Sequence, residues 1–138
     1  MAANVLVDAG FVVALLSRRD NHHRWAITKA PQHEPPWTTC EAALSEAFQL
    51  LGVHGVPALS ALLRRRSVLV AFELAQDLES VLKLMQKYED IPMSLADACL
   101  VRMTETLPDP VILTTDADFR VYRRHSRHVV PCVMPDPR

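Results

Sequence analysis

The sequence predicts an α/β fold, in which helices cover both sides of an open and mainly parallel β-sheet. Short runs of branched apolar residues alternate with longer helical stretches, and the first run, VLV at residues 5–7, suits a strand buried on both faces. The chain has 138 residues, of which 49% are hydrophobic. This is enough for one hydrophobic core, so we expect a single domain over residues 1–138.

The first half of the chain is predicted to contain two strands and four helices. The first strand lies in residues 4–10 and ends at Asp8 and Gly10, and a short extended segment follows two prolines at 35–39. The helical stretches are residues 11–20, 21–30, 38–55 and 57–66. The stretch 38–55 is the strongest of these helices.

The second half is predicted to contain three strands and two helices. The strands lie in residues 67–72, in 110–119 with a break at Asp116, and in 128–134. The helices are residues 75–90 and 93–107. The regular alternation of the two element types favours parallel βαβ units over separate sheets and bundles.

Composition and charge exclude several classes of protein. The formal net charge is −1, so the chain lacks a strongly basic coat for nucleic acid. The three cysteines are widely spaced without a CxxC pair, and the six histidines are scattered, which argues against a disulfide framework or a zinc site. No apolar stretch approaches the length of a membrane span, so we expect a cytoplasmic protein without membrane contact.

Two predicted strands end in an aspartate. Asp8 closes the run VLVD, and Asp116 closes the run VILTTD. In parallel α/β sheets, ligands bind beyond the carboxyl ends of the strands, where both carboxylates would project. Either residue taken alone could instead be a turn residue or the N-cap of the next helix.

Two predicted helices carry an acid among apolar residues. Helical spacing gives each acid its neighbours, which are Ala42, Ala43, Leu50 and Val53 for Glu46, and Met93, Leu100 and Val101 for Asp97. A lone buried carboxylate is costly, and no lysine or arginine lies three or four residues away from either acid. Compensation for Glu46 and Asp97 is therefore expected from outside the helix.

Helix capping offers a structural alternative for some of these acids. Ser94 and Asp97 fit the S/T-x-x-D capping pattern, so Asp97 could be a cap partner and not a ligand. Thr38 and Glu41 fit the same type of pattern, which assigns Glu41 to a capping box. Glu46 lies too deep in its helix to cap it, so we expect Glu46 to be functional.

Four acids, Asp8, Glu46, Asp97 and Asp116, are thus expected to converge on one side of the sheet. Carboxylates that meet in a crevice repel one another, and a divalent cation would compensate their charge. Ligation by oxygen alone is typical of Mg²⁺ or Mn²⁺. Such a cation activates water and stabilises charge at phosphorus, which indicates a phosphodiesterase.

Four segments of the chain resemble the motifs of the PIN-domain family, and they occur in the family's order: VLVDAGFVVALL, TTCEAALSEAFQLL, MSLADACLVRM and VILTTDADF. Together they span nearly the whole chain. The resemblance implies a three-layer α/β/α fold around a parallel sheet of about five strands. It also implies a Mg²⁺- or Mn²⁺-dependent ribonuclease whose catalytic acids correspond to Asp8, Glu46, Asp97 and Asp116.

The resemblance further implies roles for individual residues. Asp8, Asp97 and Asp116 would hold the metal, and Glu46 would complete the acidic cluster and orient water. Thr115 corresponds to the Ser/Thr that precedes the family's last acid, and Asp118 could be a helper ligand or a turn acid. Substrate phosphates need cations near the rim, and the candidates, each with ordinary surface as its alternative, are Arg18, Arg19, Arg120, Arg123 and Arg124.

Partners also follow from the resemblance. Small stand-alone members of the family are similar to VapC-type toxins, which implies an RNA substrate, a cognate antitoxin and a homodimer. Two alternatives stay open, namely an RNA-processing nuclease without a toxin role and a module that binds RNA or protein without cutting. A receiver-like or phosphatase domain is disfavoured, because no acid pair follows the first strand and the last strand has no lysine.

Overall fold

Five parallel strands form the central sheet of the computed structural model, which describes residues 4–137. In spatial order the strands are β3 (Val68–Val70), β2 (Trp37–Thr39), β1 (Asn4–Val7), β4 (Pro110–Leu113) and β7 (Cys132–Val133). The chain builds outwards from β1 to β3 and then crosses to the other side of β1. The strand order therefore reverses between β1 and β4, the position where ligands bind in open α/β sheets.

Helices lie on both sides of this sheet. Within the described residues they are α1 (Ala9–Leu16), α2 (His23–Lys29), α3 (Glu41–Leu51), α4 (Val56–Arg64), α5 (Leu74–Lys87) and α6 (Leu95–Thr106). Short 3₁₀ turns occupy Ala30–Gln32, Val53–Gly55 and Ala117–Arg120. Between β4 and β7, a small antiparallel hairpin joins β5 (Arg123–Arg124) to β6 (His128–Val129).

The side chains of the central strands alternate between two cores, because successive residues of a strand point to opposite faces. Leu6 and Ile112 belong to the core formed with α5 and α6. Val5, Val7 and Leu113 belong to the other core, which includes residues of α1, α3 and α4. Both faces of the sheet are therefore covered, and the predicted three-layer α/β/α fold is confirmed.

The end of the chain differs from the prediction of one strand over residues 128–134. His128–Val129 belongs to the hairpin, and Cys132–Val133 alone joins the central sheet beside β4. Pro131 lies between these two segments and contributes its carbonyl, which accepts the N–H of Ile112 at 2.9 Å. A proline has no N–H to donate, so it cannot continue a strand through the middle of a ladder.

Two further expectations concern cysteines and membranes. Cys40 and Cys99 are buried free thiols, as expected for small apolar core residues. In the described part of the chain, no single helix has both the length and the hydropathy to cross a membrane. The segments Glu41–Leu51 and Val53–Arg64 meet those criteria only when taken together, across a bend of 115°.

Candidate metal centre

Asp8 lies directly after β1, at the carboxyl edge of the sheet. It is the N-cap of α1, and its Oδ1 accepts a hydrogen bond from the backbone N–H of Ala9 at 2.7 Å. Its Oδ2 accepts a hydrogen bond from the hydroxyl of Thr114 at 2.8 Å. Asp8 is only 6% exposed, so this strand-end acid is both a helix cap and a buried member of the site.

Asp116 follows β4 and begins the 3₁₀ turn Ala117–Arg120. Its Oδ1 accepts the backbone N–H of Asp118 at 2.9 Å, so Asp118 contributes to the site through its main chain. The N–H of Asp116 donates to the hydroxyl oxygen of Thr114 at 3.0 Å. Because the same hydroxyl donates to Asp8, Thr114 ties the two strand-end acids together.

Asp97 lies in the first turn of α6 and is 7% exposed. Ser94 is the N-cap of this helix, and its Oγ accepts the N–H of Asp97 at 3.0 Å, so the predicted cap at Ser94 is confirmed. The carboxylate of Asp97 also has a partner outside the cap, because its Oδ2 accepts a hydrogen bond from the phenol of Tyr122 at 3.0 Å. Capping and delivery of an acid to the site therefore coexist in one helical turn.

The three aspartates converge. One carboxylate oxygen from each of Asp8, Asp97 and Asp116 lies within 4.8 Å of the other two. We call these residues the acid cluster. The salt bridges within residues 4–137 are those of Arg102 with Asp77 and Glu105, and neither involves the acid cluster.

Burial and mutual repulsion disfavour the charged forms of the cluster. The pKa of Asp8 is raised to about 7, first by burial and then by the charges of Asp97 and Glu46, against the hydrogen bonds from Thr114 and Ala9. The pKa of Asp97 is also raised, mainly by burial and further by the charge of Asp116. The hydrogen bond from Tyr122 and those from the side chain and backbone of Ser94 lower this pKa and so act in the opposite direction.

This donor set fits a hard divalent cation. It consists of carboxylate oxygens that crowd together, with no protein cation from residues 4–137 in salt-bridge contact to compensate them. Mg²⁺ and Mn²⁺ prefer such oxygens and bind through a few carboxylates plus water and substrate oxygens. The acid cluster could therefore hold such an ion.

Glu46 lies outside the acid cluster, and the reasoning that led to it needs correction. The sequence predicted a buried carboxylate, but Glu46 is exposed, as are its helical neighbours Leu50 (60%) and Val53 (84%). The helix α3 is buried through Ala43 and Ala47 instead. Glu46 is nevertheless close enough for its charge to raise the pKa of Asp8, which places it at the rim of the site.

The second predicted capping box is wrong. Thr38 lies in β2, and its hydroxyl donates to the carbonyl of Val5 at 3.3 Å. The N-cap of α3 is Cys40, which makes no side-chain capping bond, and Glu41 is the first residue of that helix. Thr38 lies within β2, two residues before the N-cap position, and so cannot cap α3.

Thr114 is the threonine whose hydroxyl bonds to the acid cluster, and the predicted role of Thr115 towards water or phosphate stays a prediction. Successive residues point in opposite directions after a strand, so Thr114 faces Asp8 while Thr115 lies over Gly10 in α1. A Cβ atom on Gly10 would lie 2.4 Å from Oγ1 of Thr115. A side chain at position 10 would therefore force the hydroxyl of Thr115 to move.

A cleft of about 740 Å³ lies beside Asp116, between the α1–α2 connection and the C-terminal segment. We call it the basic cleft, because Arg18, Arg24 and Arg120 line it. Its wall also includes Thr115 and Ala117, the two residues that flank Asp116. Two acids and one large aromatic ring line it as well, namely Asp20, Asp136 and Trp25.

The other predicted phosphate-binding cations have different positions. Arg19 is exposed and lines a separate recess near Leu51 and His54. The guanidinium of Arg123 donates to the carbonyls of Arg120, Val121 and Tyr122, and that of Arg124 donates to the carbonyl of Thr104. Arg123 and Arg124 thus help to hold the hairpin in place.

Sequence reasoning missed three residues of this region. Thr114 was not predicted because the motif pointed to the adjacent Thr115. Arg24 was not predicted because its helix carries no other sign of function. Tyr122 lies in the segment DFRVY after the last acid, and only its spacing of three residues from Phe119 hinted at a shared apolar face. Nothing in the sequence indicated that its hydroxyl would bind Asp97.

Comparison with protein-family models gives a match over most of the chain. The family model described as PIN domain matches residues 5–124, which include all three members of the acid cluster as well as Glu46. No curated protein matches the chain.

Proposed function

The chain belongs to the PIN-domain family, and from that membership and the acid cluster we propose that it is a ribonuclease that hydrolyses RNA phosphodiester bonds with Mg²⁺ or Mn²⁺. Members of this family are generally nucleases. The observation that carries the proposal is the convergence of three buried carboxylates, each delivered by a different element, within 4.8 Å of one another. RNA as the substrate class rests on the resemblance of the motifs.

Asp8, Asp97 and Asp116 would hold the metal, which supplies charge stabilisation at phosphorus and acidifies water when bound. The chain's own residues fix these ligands beforehand. Thr114 holds an oxygen of Asp8 and the main chain of Asp116, while Ser94 fixes the turn that carries Asp97. Preorganised ligands lose little freedom when the charged site assembles.

Glu46 stays a proposed catalytic residue, although its carboxylate is exposed and not buried as the sequence predicted. It is exposed at the rim and acts on Asp8 through its charge. A solvated carboxylate in that position would orient the attacking water or accept its proton. In-line displacement at phosphorus needs no side-chain nucleophile, so no further residue is required for that role.

The substrate strand would leave the acid cluster through the basic cleft. Phosphates are negatively charged, and arginine binds them through paired N–H donors. Arg18, Arg24 and Arg120 line this cleft next to Asp116, and Trp25 offers a face for one base. Such contacts would hold a single strand with its scissile phosphate beside the three carboxylates.

We further propose that the protein is the toxin of a toxin–antitoxin pair, that it forms a homodimer, and that it acts in the cytoplasm. The similarity of small stand-alone PIN domains to VapC-type toxins supports this. The exposed apolar residues Leu50, Val53 and Val56, at the bend between α3 and α4, offer surface for a partner.

An RNA-processing role without toxicity is the alternative. Growth arrest on expression, relieved by co-expression of a small neighbouring gene, would distinguish the two.

The activity is tested with Asp97→Asn. Wild type should cleave RNA in Mn²⁺ and be inactive in EDTA, and Mn²⁺ at 100 times its Kd should stabilise it by about 2.7 kcal/mol. The variant should neither cleave nor be stabilised by Mn²⁺. Its metal-free form should be no less stable than wild type, because one repelling charge is removed. RNA cleavage and urea unfolding measure these effects.

The matched control is Asp90→Asn, which makes the same change at an exposed position outside the acid cluster. It should leave cleavage and Mn²⁺ binding unchanged. If Asp97 were only a capping acid, Asp97→Asn would lose about 1 kcal/mol of stability and still cut RNA. That outcome would contradict the assignment of Asp97 to a metal centre.

A further inference from the structure

A buried phenol lies against the acid cluster. Tyr122 has no exposed surface, and its hydroxyl donates a hydrogen bond of 3.0 Å to Oδ2 of Asp97. Its ring makes edge-to-face contacts with Phe119, at 5.4 Å between ring centres, and with Tyr88, at 5.1 Å. These aromatic contacts restrict the ring and so fix where its hydroxyl lies.

The main chain around Tyr122 is fixed as well. The hydroxyl of Tyr88 accepts the N–H of Arg123 at 2.9 Å, directly after Tyr122. The guanidinium of Arg123 donates to three consecutive carbonyls, including that of Tyr122. The hydroxyl of Tyr122 is therefore held at Asp97 by an aromatic cluster and a closed backbone turn, and not by a single flexible side chain.

We propose that Tyr122 is a positioning residue of the metal centre, which holds Oδ2 of Asp97 and so fixes the direction in which this carboxylate faces the cation. The inference deepens the proposed function and rests on it. A carboxylate with one oxygen bound to a rigid donor has one rotational setting, so its free oxygen points in a defined direction. Outer partners of metal ligands act in this way in other metal sites, and their loss typically weakens metal binding by about 10- to 100-fold.

The same hydrogen bond could also serve only to satisfy a buried hydroxyl. The chain offers a matched pair of residues that separates the two roles. Tyr88 and Tyr122 are both buried tyrosines in one aromatic cluster, but the hydroxyl of Tyr88 binds a backbone N–H and that of Tyr122 binds Asp97. Removing either hydroxyl perturbs the same core, and only one removal reaches a metal ligand.

The experiment compares Tyr122→Phe with Tyr88→Phe and wild type. Calorimetric titration with Mn²⁺ should show a Kd raised by about 10-fold or more in Tyr122→Phe, which loses the bond to Asp97, and raised much less in Tyr88→Phe, which loses only a bond to the neighbouring main chain. Cleavage by Tyr122→Phe should recover as the Mn²⁺ concentration is raised, and its far-UV circular dichroism without metal should match that of wild type, which excludes a folding defect as the cause of the weaker binding. An unchanged Mn²⁺ affinity in folded Tyr122→Phe would overturn the proposal, as would an equal loss in both variants.

A second measurement covers the case in which Tyr122→Phe does not fold. 3-Fluorotyrosine incorporated at position 122 keeps the ring and the hydroxyl, and its fluorine resonance should shift when Mg²⁺ is added. The same label at position 88 should shift much less, and equal shifts at the two positions would overturn the inference. If wild type itself neither binds Mn²⁺ nor cuts RNA, the proposed function fails; if wild type does both and Tyr122→Phe matches it, the positioning role alone fails.

Discussion

Asp8 is held by two hydrogen bonds, yet its environment favours the protonated form. The donors Ala9 and Thr114 lower its pKa, but burial and the charges of Asp97 and Glu46 outweigh them. With a pKa of about 7, Asp8 is only partly ionised at neutral pH in the metal-free protein. A bound cation reverses this balance because it favours the charged carboxylate, and metal binding must therefore release protons.

This raised pKa predicts how the stability of the metal-free protein depends on pH. Between the unfolded value of 3.8 and the folded value of about 7, the folded state binds more protons than the unfolded state. The contribution of Asp8 to the unfolding free energy should therefore be lost as pH rises from about 4 to about 7. Urea unfolding in EDTA across this range, for wild type and Asp8→Asn, measures it.

The difference between the two proteins isolates Asp8 from the other carboxyl groups. Relative to wild type, Asp8→Asn should become more stable as pH rises, and saturating Mn²⁺ should remove the decline in wild type. If the difference in unfolding free energy between wild type and Asp8→Asn stays constant from pH 4 to pH 8, the pKa of Asp8 is not raised in the folded protein.

The sequence located single acids better than it described their surroundings. Strand ends point to one edge of a parallel sheet, so Asp8 and Asp116 could be placed without knowledge of the packing. Glu46 could not, because helical spacing shows which residues share a face but not whether that face is covered. Tyr122 was out of reach, since its hydrogen bond to Asp97 depends on how a hairpin folds back onto α6.

At the scale of elements, α1 and the loop after β4 approach each other at Gly10 and Thr115. A Cβ atom at position 10 would come within 2.4 Å of Oγ1 of Thr115, well inside van der Waals contact. The two segments carry Asp8 and Asp116 at their ends. The absence of a side chain at Gly10 thus sets how closely these two members of the acid cluster approach.

Gly10→Ala should therefore weaken metal binding as well as stability. Overpacking of this kind costs about 1–3 kcal/mol, and the displaced loop should raise the Kd for Mn²⁺. Gly10→Ala/Thr115→Ala should recover most of both losses, because the second change removes the clashing oxygen. Thermal unfolding and calorimetric Mn²⁺ titration measure the two effects.

Gly52→Ala is the control for the loss of a glycine. Gly52 has a φ of +70° and lies at the end of α3, with open space around it, so its replacement strains the backbone away from the site. It should lower stability without changing the Kd for Mn²⁺. Equal Mn²⁺ affinities for wild type and Gly10→Ala would show that the contact at position 10 does not govern the geometry of the acid cluster.

The longer helices and strands were predictable from the periodicity of apolar residues. The exact ends of these elements and the short strands of the hairpin were not. For α6, the sequence predicted both the N-cap, Ser94, and the acid in the first turn, Asp97. The capping pattern at Thr38 gave a wrong prediction, because the same residues also fit the end of a strand followed by a helix. The hairpin of β5 and β6 has two residues in each strand, too few for any alternation to appear in the sequence.

For the whole molecule, charge is nearly balanced, yet it is unevenly distributed. The net charge of −1 excluded a basic coat but gave no sign of the basic cleft, since Arg18, Arg24 and Arg120 come from separate segments. The fold class followed from the alternation of strands and helices. The cleft depends on where the C-terminal segment packs, which alternation does not determine.

Arg18→Ala and Arg120→Ala should each lower the affinity for RNA. Each should also make this affinity less dependent on salt concentration. Each lost phosphate contact should reduce the slope of log affinity against log salt by about 0.7 for a single strand. Binding is measured in an Asp97→Asn background, so that the RNA is not cut. Arg65→Ala, at an exposed arginine outside the basic cleft, is the control. A slope unchanged in both cleft variants would exclude this path for the RNA.

The order of the strands has a consequence for how the protein is made. The members of the acid cluster stand at positions 8, 97 and 116, and β4 must settle beside β1 before Asp8 and Asp116 can meet. A ribosome synthesises the chain from its N-terminus, so β1 leaves the exit tunnel long before β4 has been translated. During most of its synthesis, each nascent chain therefore lacks a complete site. For the proposed ribonuclease, this delay would keep the nascent chain from cutting the messenger and the ribosome that are producing it.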